Sequence, residues 1–490
     1  MTQVVSDRGP HRLPENEQQY QIVRYYIEDD PVAEYQHASP EACESFRDLK
    51  YGIRIHWGLY SLGHTEASWP LVLSMSDQQR QEYQQLYQRF NPTDFDADQW
   101  MRFFADNGLR MFAMTTKHHD GFSLFDTRTR VKQRVNWTAP GGPKIEDCDI
   151  AYSVMDSPLR RDIVKELCDA AQRRGIKVDL YFSHPDWYDA DFRGFAFHPV
   201  QPQEFLEHPE LYGNNTGFLD PPRKTIVPNT TAAQTARMMQ RYGDQLRELL
   251  TGYGKVDMIC FDQCLGPKIW PELRRLLIEL RSIQPDVMFR ARGIGNYGDY
   301  YTPEDYFPDG KEPTSVPWFV VHRLAKIFAY DPEASNYRDG AWIISGLIDT
   351  VAKGGNLMIA LGPDEHGHFH PRGIEALEEA GRWLAINGEA IYATRPRDGT
   401  LWREGDEIRF TRSKDGRCVY AICRTWPGSV LRLQSVRARP GSVIQMLGVS
   451  QPLTWRQEAD RLIVELPDGL QQEARRPCPH AWAFRIAAQG

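Results

Sequence analysis

The chain has 490 residues, a net charge of −8 and 25% charged residues. That length allows a large core and more than one domain. The acidic balance and the lack of a Lys/Arg run argue against nucleic acid as a partner. No apolar run is long enough to span a membrane, so no membrane partner is expected.

Residues 1–40 read as a polar N-terminal leader, with a short helix near residues 20–26. They contain no apolar signal-type stretch, which makes a cytoplasmic location the expectation, or secretion if a leader had been trimmed. From residue 41 the pattern changes. Tyr51-Gly52-Ile53-Arg54-Ile55-His56-Trp57-Gly58 reads as a strand. Helices follow over 76–90 and 96–107, then a strand over 110–115 that ends in Lys117-His118-His119-Asp120-Gly121. A helix over 162–174 stops at Gly175 and a strand over 176–182 leads to Trp187. A long helix (231–250) precedes Met258-Ile259-Cys260-Phe261, an apolar run that ends on Asp262. A charge at the end of a buried strand costs desolvation unless it is paired or used. Further helices are predicted over 271–283, 341–353 and 374–387, and further strands over 287–292 and 356–361. Two long connections, 126–158 and 184–229, have the length of site-shaping loops.

Strands alternating with helices imply a parallel sheet, and the number of repeats favours a closed (β/α)8-like TIM barrel over residues 41–395. An open doubly wound sheet is the alternative. Gly293-Ile294-Gly295-Asn296-Tyr297-Gly298 has the spacing of a dinucleotide loop, but Asp299-Tyr300-Tyr301-Thr302-Pro303 after it does not open a helix. No cofactor is expected. After Pro396 the texture shifts to short apolar runs separated by Gly, Pro and Asp, which predicts an antiparallel β-sandwich over 396–490. The eight Cys show no disulfide or zinc spacing. Adjacent His118 and His119 would point to opposite faces of a strand, so no metal is expected. The chain is rich in aromatics, with 13 Trp, 22 Tyr and 22 Phe, which suits a sugar pocket as well as a large core.

His56, Trp57, His118, His119, Trp187, Asp262 and Arg292 all follow strands, and in a barrel those ends ring one pocket. Several stretches together resemble the retaining α-L-fucosidases, glycoside hydrolase family 29. They are Lys50 to Ser61, Thr115-Thr116-Lys117-His118-His119-Asp120-Gly121-Phe122, Cys260-Phe261-Asp262, Gly354-Gly355-Asn356-Leu357, and Gly388 to Pro396. The resemblance implies an exo-acting hydrolase that removes terminal α-L-fucose, or a related L-sugar, from fucosylated glycosides by double displacement. It implies Asp262 as nucleophile. Gly298 to Asp305 is similar to the family segment that carries an acid, which makes Glu304 the acid/base, with Glu312 in reserve. It also implies sugar contacts from His56, His118, His119, Trp69 and Arg292, with Tyr181 and Trp187 as pocket walls. Ser68 stands where the family has Glu; either Glu66, two positions earlier, substitutes or that hydroxyl contact is lost. Pro317-Trp318-Phe319 lacks a carboxylate usual at that point. Alternatives are an α-L-galactosidase or α-L-glucosidase, or a non-catalytic carbohydrate-binding protein on the same fold. A homo-oligomer is left open.

Overall fold

The computed structural model describes residues 9–195, 198–208, 226–312 and 314–488. Seven parallel strands form one sheet: β1 Tyr51–Ile55, β2 Met111–Lys117, β3 Lys177–Ser183, β4 Met258–Asp262, β5 Met288–Phe289, β6 Phe319–Arg323 and β7 Asn356–Ala360. Their order is β6-β7-β1-β2-β3-β4-β5, which leaves β5 and β6 as edges. Residues 300–304 fill the gap. Tyr300 bridges Arg290, Tyr301 bridges Trp318 and Glu304 bridges Val321, all in parallel. Ala291 N donates to Tyr300 O at 2.8 Å, and Val321 N donates to Pro303 O at 3.0 Å. The seven strands and this stretch supply the eight positions of a (β/α)8 barrel.

β6 and the closing stretch are absent from the sequence expectation. Pro303 has no N–H to give a ladder, and β6 mixes His322 and Arg323 into its apolar run, so neither signals a buried strand. The connection 126–158 also holds structure that the sequence did not announce, a hairpin of Val131–Asn136 and Lys144–Ile150.

Helices α1 Ala97–Asp106, α2 Ile163–Arg173, α3 Ala232–Gly252, α4 Trp270–Ile283, α5 Gly340–Ala352 and α6 Pro371–Asn387 surround the strands. Side-chain caps fix several starts. Asp96, Asp162, Thr231 and Asp339 each accept from a backbone N–H of the first turn, an arrangement worth about 1 kcal/mol per helix. The stretch 76–90, predicted as one helix, divides into Asp77–Tyr83 and a short turn, Leu86–Gln88.

Successive strand residues face opposite sides, so every second residue enters the barrel. Met111, Met258, Met288, Phe319 and Met358 form its floor in one buried cluster. Phe46 and Leu49, from helix Pro40–Leu49, close that floor from below. Phe46 lies 5.2 Å from the Tyr300 ring and 6.0 Å from the Phe319 ring. Residues 9–39, expected to be a polar leader, pack against the turn that leads into the closing stretch. Leu13, Val23 and Tyr35 are buried, and Asn296 Oδ1 accepts from Leu13 N at 3.1 Å while its Nδ2 donates to Asp29 O at 2.8 Å.

Beyond α6 two antiparallel sheets face each other. Ile408–Arg412, Cys418–Cys423 and Trp482–Ala487 are central to one, and Val430–Leu433 and Leu462–Glu465 belong to the other. Phe410, Phe484, Leu433 and Val464 are buried between them. The sandwich docks on the barrel through Arg409 Nε to Asp349 Oδ1 at 2.7 Å and Trp383 Nε1 to Ala481 O at 2.8 Å. No described helix is long and apolar enough to cross a membrane.

Because Phe46 seals the floor, Phe46→Ala should destabilise the protein by about 3–5 kcal/mol, lowering the urea midpoint. An unchanged midpoint would show that the floor is closed by something else.

Candidate active site

The two-residue rhythm that fills the floor with Met also builds the top of the barrel. Counting inward residues upward, β4 runs Met258, Cys260, Asp262, and β3 runs Asp179, Tyr181. β1 leads through Arg54 to His56, β5 leads through Arg290 to Arg292, and the closing stretch leads from Tyr300 to Glu304. The ends of these rows converge on one cavity of about 300 Å³.

Asp262 is 7% exposed. Its Oδ2 accepts from the Tyr181 hydroxyl at 2.6 Å, and His119 Nε2 lies 3.3 Å from the same oxygen. Its Oδ1 accepts from Arg292 Nη1 at 2.6 Å. Arg292 Nη2 donates to Glu304 Oε2 at 2.6 Å. Arg290 repeats the pattern more loosely, with Nη1 3.5 Å from Asp262 Oδ1 and Nη2 3.2 Å from Glu304 Oε2. Two guanidinium groups thus each span both carboxylates. Sharing one guanidinium sets the carboxylates on the order of 5 Å apart, the scale of a retaining glycosidase.

The turn after β4 makes this approach possible. Gln263 adopts φ 64°, and opposite it Gly293 adopts φ 81°. A Cβ on Gly293 would lie 2.3 Å from the Gln263 carbonyl oxygen. Glycine is required here for Arg292 to come this close to Asp262.

Burial pushes the Asp262 carboxyl up, but Arg292, His119 and Arg290 outweigh it and hold it well below the usual range. Burial also pushes Glu304 up, and Arg292 and Arg290 bring it down to about 2. Its side chain is 29% exposed, so solvent reaches it as it does not reach Asp262. Burial, helped by Asp262, raises the Tyr181 hydroxyl, which stays a donor. Burial lowers all three histidines: His56 to about 3, His118 well below its usual value, and His119 in the same direction against the pull of Asp262. Neutral imidazoles can both donate to and accept from hydroxyl groups.

His118 and His119 lie just past the end of β2, where the chain turns, so strand alternation does not separate them. Their rings are 4.5 Å apart. Ser68 Oγ is hydrogen-bonded to His118 Nδ1. Glu66 lines the cavity, and its Oε2 accepts from Phe328 N at 2.9 Å. Trp69 also lines it, 5.2 Å from the His119 ring and 5.6 Å from the Trp187 ring. Trp187 stands behind, 4.9 Å from the His119 ring. The rest of the His-His motif anchors this loop from outside the cavity. Lys117 Nζ lies 3.5 Å from Asp186 Oδ2, which also accepts from Arg241 at 2.7 Å, and Tyr83 donates to Asp120 at 2.6 Å.

Trp57 is a correction. It follows inward-facing His56, so it points out of the barrel toward α1. Its ring packs on Phe95 and Trp100 at 5.3 Å each, and Nε1 donates to Asp364 O at 2.9 Å. It is a core residue away from the sugar cavity. Glu312 accepts from the Tyr301 hydroxyl at 2.7 Å and is not part of the cavity lining. Phe319, where the family carries a carboxylate, lies on the barrel floor.

Arg54, Arg290 and Phe328 line the cavity and were not singled out from sequence. Arg54 and Arg290 stand two residues before His56 and Arg292, so strand parity was the available signal. The described residues hold one cluster of metal-type side chains, His11, His37 and Asp299, away from this cavity. Its carboxylate is already committed. Asp299 Oδ1 is 3.0 Å from His37 Nδ1 and 2.9 Å from Ala38 N, and Oδ2 is 2.6 Å from Arg281 and 2.8 Å from Phe289 N.

An alpha-L-fucosidase family profile matches residues 29–389, and an alpha-L-fucosidase C-terminal domain profile matches residues 404–487. The tissue alpha-L-fucosidase of Homo sapiens is 28% identical over 475 residues, covering 90% of this chain and 88% of its own. The plasma alpha-L-fucosidase of Homo sapiens is 27% identical over 482 residues, covering 90% and 89%. Among solved structures, alpha-L-fucosidase isoenzyme 1 from Paenibacillus thiaminolyticus superposes with a TM-score of 0.71 at 23% identity, covering 92% of this chain and 99% of its own. A GH29 alpha-L-fucosidase from Bacteroides thetaiotaomicron, trapped as a covalent intermediate, gives 0.70 at 21% identity, covering 95% and 99%. The profile match takes in every barrel strand and every residue lining this cavity, and the chain belongs to the alpha-L-fucosidase family, glycoside hydrolase family 29.

Proposed function

We propose that this protein removes terminal α-L-fucose from glycosides with net retention, using Asp262 as nucleophile and Glu304 as acid/base. The observation that carries the reading is the pair of carboxylates joined by Arg292 at the end of a cavity sized for one sugar ring.

In the first step an Asp262 oxygen attacks the anomeric carbon. The bond to the leaving oxygen breaks, and that oxygen takes the Glu304 proton. Asp262 must be ionised for this, as Arg292, Tyr181 and His119 favour. In the second step Glu304, now a carboxylate, takes a proton from water. The water oxygen attacks the anomeric carbon and Asp262 leaves as carboxylate. Neutral His56 and His118, with Glu66, suit the ring hydroxyls, His119 backs Asp262 from behind the lining, and Trp69 offers a face for C–H groups. Phe328, 4.8 Å from the His56 ring, and Ala67 make an apolar wall. Such a wall suits the methyl group of a 6-deoxy sugar better than the hydroxymethyl of an α-L-galactoside or α-L-glucoside.

Aryl α-L-fucoside should be hydrolysed in preference to the galactoside and glucoside, with the α-anomer appearing first in proton NMR. No release from any of the three would favour a binding protein. Asp262→Ala should lower kcat by at least about a thousandfold. Glu304→Ala should retain turnover of an activated substrate in azide, giving the fucosyl azide. Glu304 must take up a proton before the first step while two guanidiniums oppose that uptake, so kcat/KM should fall as pH rises from 5 to 8. A rise over that range would reassign the acid.

The depressed Asp262 carboxyl also predicts a stability effect. A folded value below the unfolded value adds stability above about pH 4, which is lost as pH falls through the folded value. Asp262→Asn should therefore be less stable by about 3 kcal/mol at pH 7, with the gap to wild type narrowing below about pH 4. A gap independent of pH would contradict the ion-pair account.

A further inference from the structure

Directly beneath the two carboxylates the barrel interior is charged. Asp179 stands two residues below Tyr181 on β3, one inward step or roughly 6.5–7 Å along the strand. Arg54, on β1, is level with Asp179 through the β1-β2-β3 register, and Cys260 and Arg290 stand one inward step above Met258 and Met288 on β4 and at the end of β5. All four are buried, and Asp179 has no exposed surface. Arg54 Nη2 lies 2.9 Å from Cys260 Sγ, and Arg290 Nη1 lies 3.5 Å from it. Arg290 also reaches up to Asp262 and Glu304. Neither oxygen of Asp179 makes a hydrogen bond of ordinary geometry, and neither do Arg54 Nε and Arg290 Nε. The neighbouring Tyr300 hydroxyl faces the Ile259 carbonyl oxygen at 3.5 Å.

A buried carboxylate with only the Tyr300 hydroxyl nearby as a donor, and no hydrogen bond of ordinary geometry, is costly unless neighbouring charges offset it. Burial, helped by Asp257 at the entry to β4, pushes the Asp179 carboxyl up to about 6 against the pull of Arg54, Arg290 and the Tyr300 hydroxyl, so it carries its charge above that pH. Cys260 and the Tyr300 and Tyr181 hydroxyls are held protonated by burial. The permanent cations at and beneath the site are Arg54, Arg290 and Arg292. Asp262 and Glu304 balance two of them, Glu66 lies across the cavity with its Oε2 on Phe328 N, and Asp179 is the carboxylate beneath the site. When Asp262 becomes an ester in the covalent step, Glu304 and Asp179 are the counter-charges left beside and beneath the three guanidiniums.

We propose that Asp179 is a positioning residue whose carboxylate offsets the guanidinium groups beneath the site and so keeps Glu304 able to take up its proton. This rests on the reading of Glu304 as acid/base. Asp179 has no exposed surface and is not part of the cavity lining, so it acts through Arg54 and Arg290.

The test is kcat/KM against pH for 4-nitrophenyl α-L-fucoside. Above about pH 6, where Asp179 is ionised, Asp179→Asn removes a negative charge, which makes the potential at Glu304 more positive and its proton harder to hold. The basic limb should move to lower pH by roughly one to two units, from one charge at this distance in an effective dielectric near 20. Arg54→Gln has the opposite sign and should move the limb to higher pH. Combining the two should return it toward wild type, an outcome that simple loosening of the core would not give. Thermal unfolding accompanies each variant. If Asp179→Asn fails to fold, the Arg54→Gln shift still decides. An active wild type with folded variants whose limb does not move would overturn the role of Asp179 alone. A wild type without activity on any α-L-glycoside would overturn the acid/base reading and this one together.

Discussion

One guanidinium between two carboxylates organises this site. Arg292 donates to Asp262 and to Glu304 at 2.6 Å each, on a side chain that is almost wholly buried. Breaking a buried pair of this kind by removing one partner typically costs about 3–5 kcal/mol. The arrangement holds two like charges close together, which they would otherwise resist. Both guanidiniums act on both carboxylates, and what separates the two is that Asp262 also takes Tyr181 and His119 and is buried, while Glu304 is 29% exposed toward the cavity. In the proposed mechanism Asp262 is held as the anion and the more exposed Glu304 is the carboxyl that exchanges a proton.

The barrel supplies this geometry through the alternation of its strands. Floor, charged middle layer and reactive top are successive inward positions of the same strands: Met258, Cys260 and Asp262 on one, Met288, Arg290 and Arg292 on the next. Glu304 joins them because residues 300–304 close the ring with scattered bridges rather than a full ladder. The closing seam and the proposed acid/base are the same piece of chain. Residues 9–39 pack on the turn that leads into that seam, through Leu13 and Asp29 on Asn296, Tyr35 on Tyr297 O, and Ala38 N on Asp299.

Much of this was legible in the sequence. Asp262 announced itself as a charge ending a buried run, and alternating strands and helices pointed to the barrel. The motifs around His56, His118 and Glu304 supplied the remaining members. What was not legible follows from physical causes. Arg54 and Arg290 are charges within apolar strands, and only the closed barrel shows that they face inward toward counter-charges. Trp57 was placed in the pocket because it adjoins His56, yet adjacency on a strand means the opposite face. The closing stretch carries Pro303, which signals a loop to any ladder-based reading. His118 and His119 were separated on paper by strand alternation and brought together by the turn that ends β2.

The central claim is that Asp262 forms a covalent bond to the sugar. Incubation with 2-deoxy-2-fluoro-α-L-fucosyl fluoride, followed by proteolysis and mass spectrometry, tests it most directly. The account predicts a single fluorofucosyl adduct on the peptide containing Asp262, absent from Asp262→Asn. Label on a different side chain, or hydrolysis of the natural-sugar fluoride with inversion and no adduct, would contradict it.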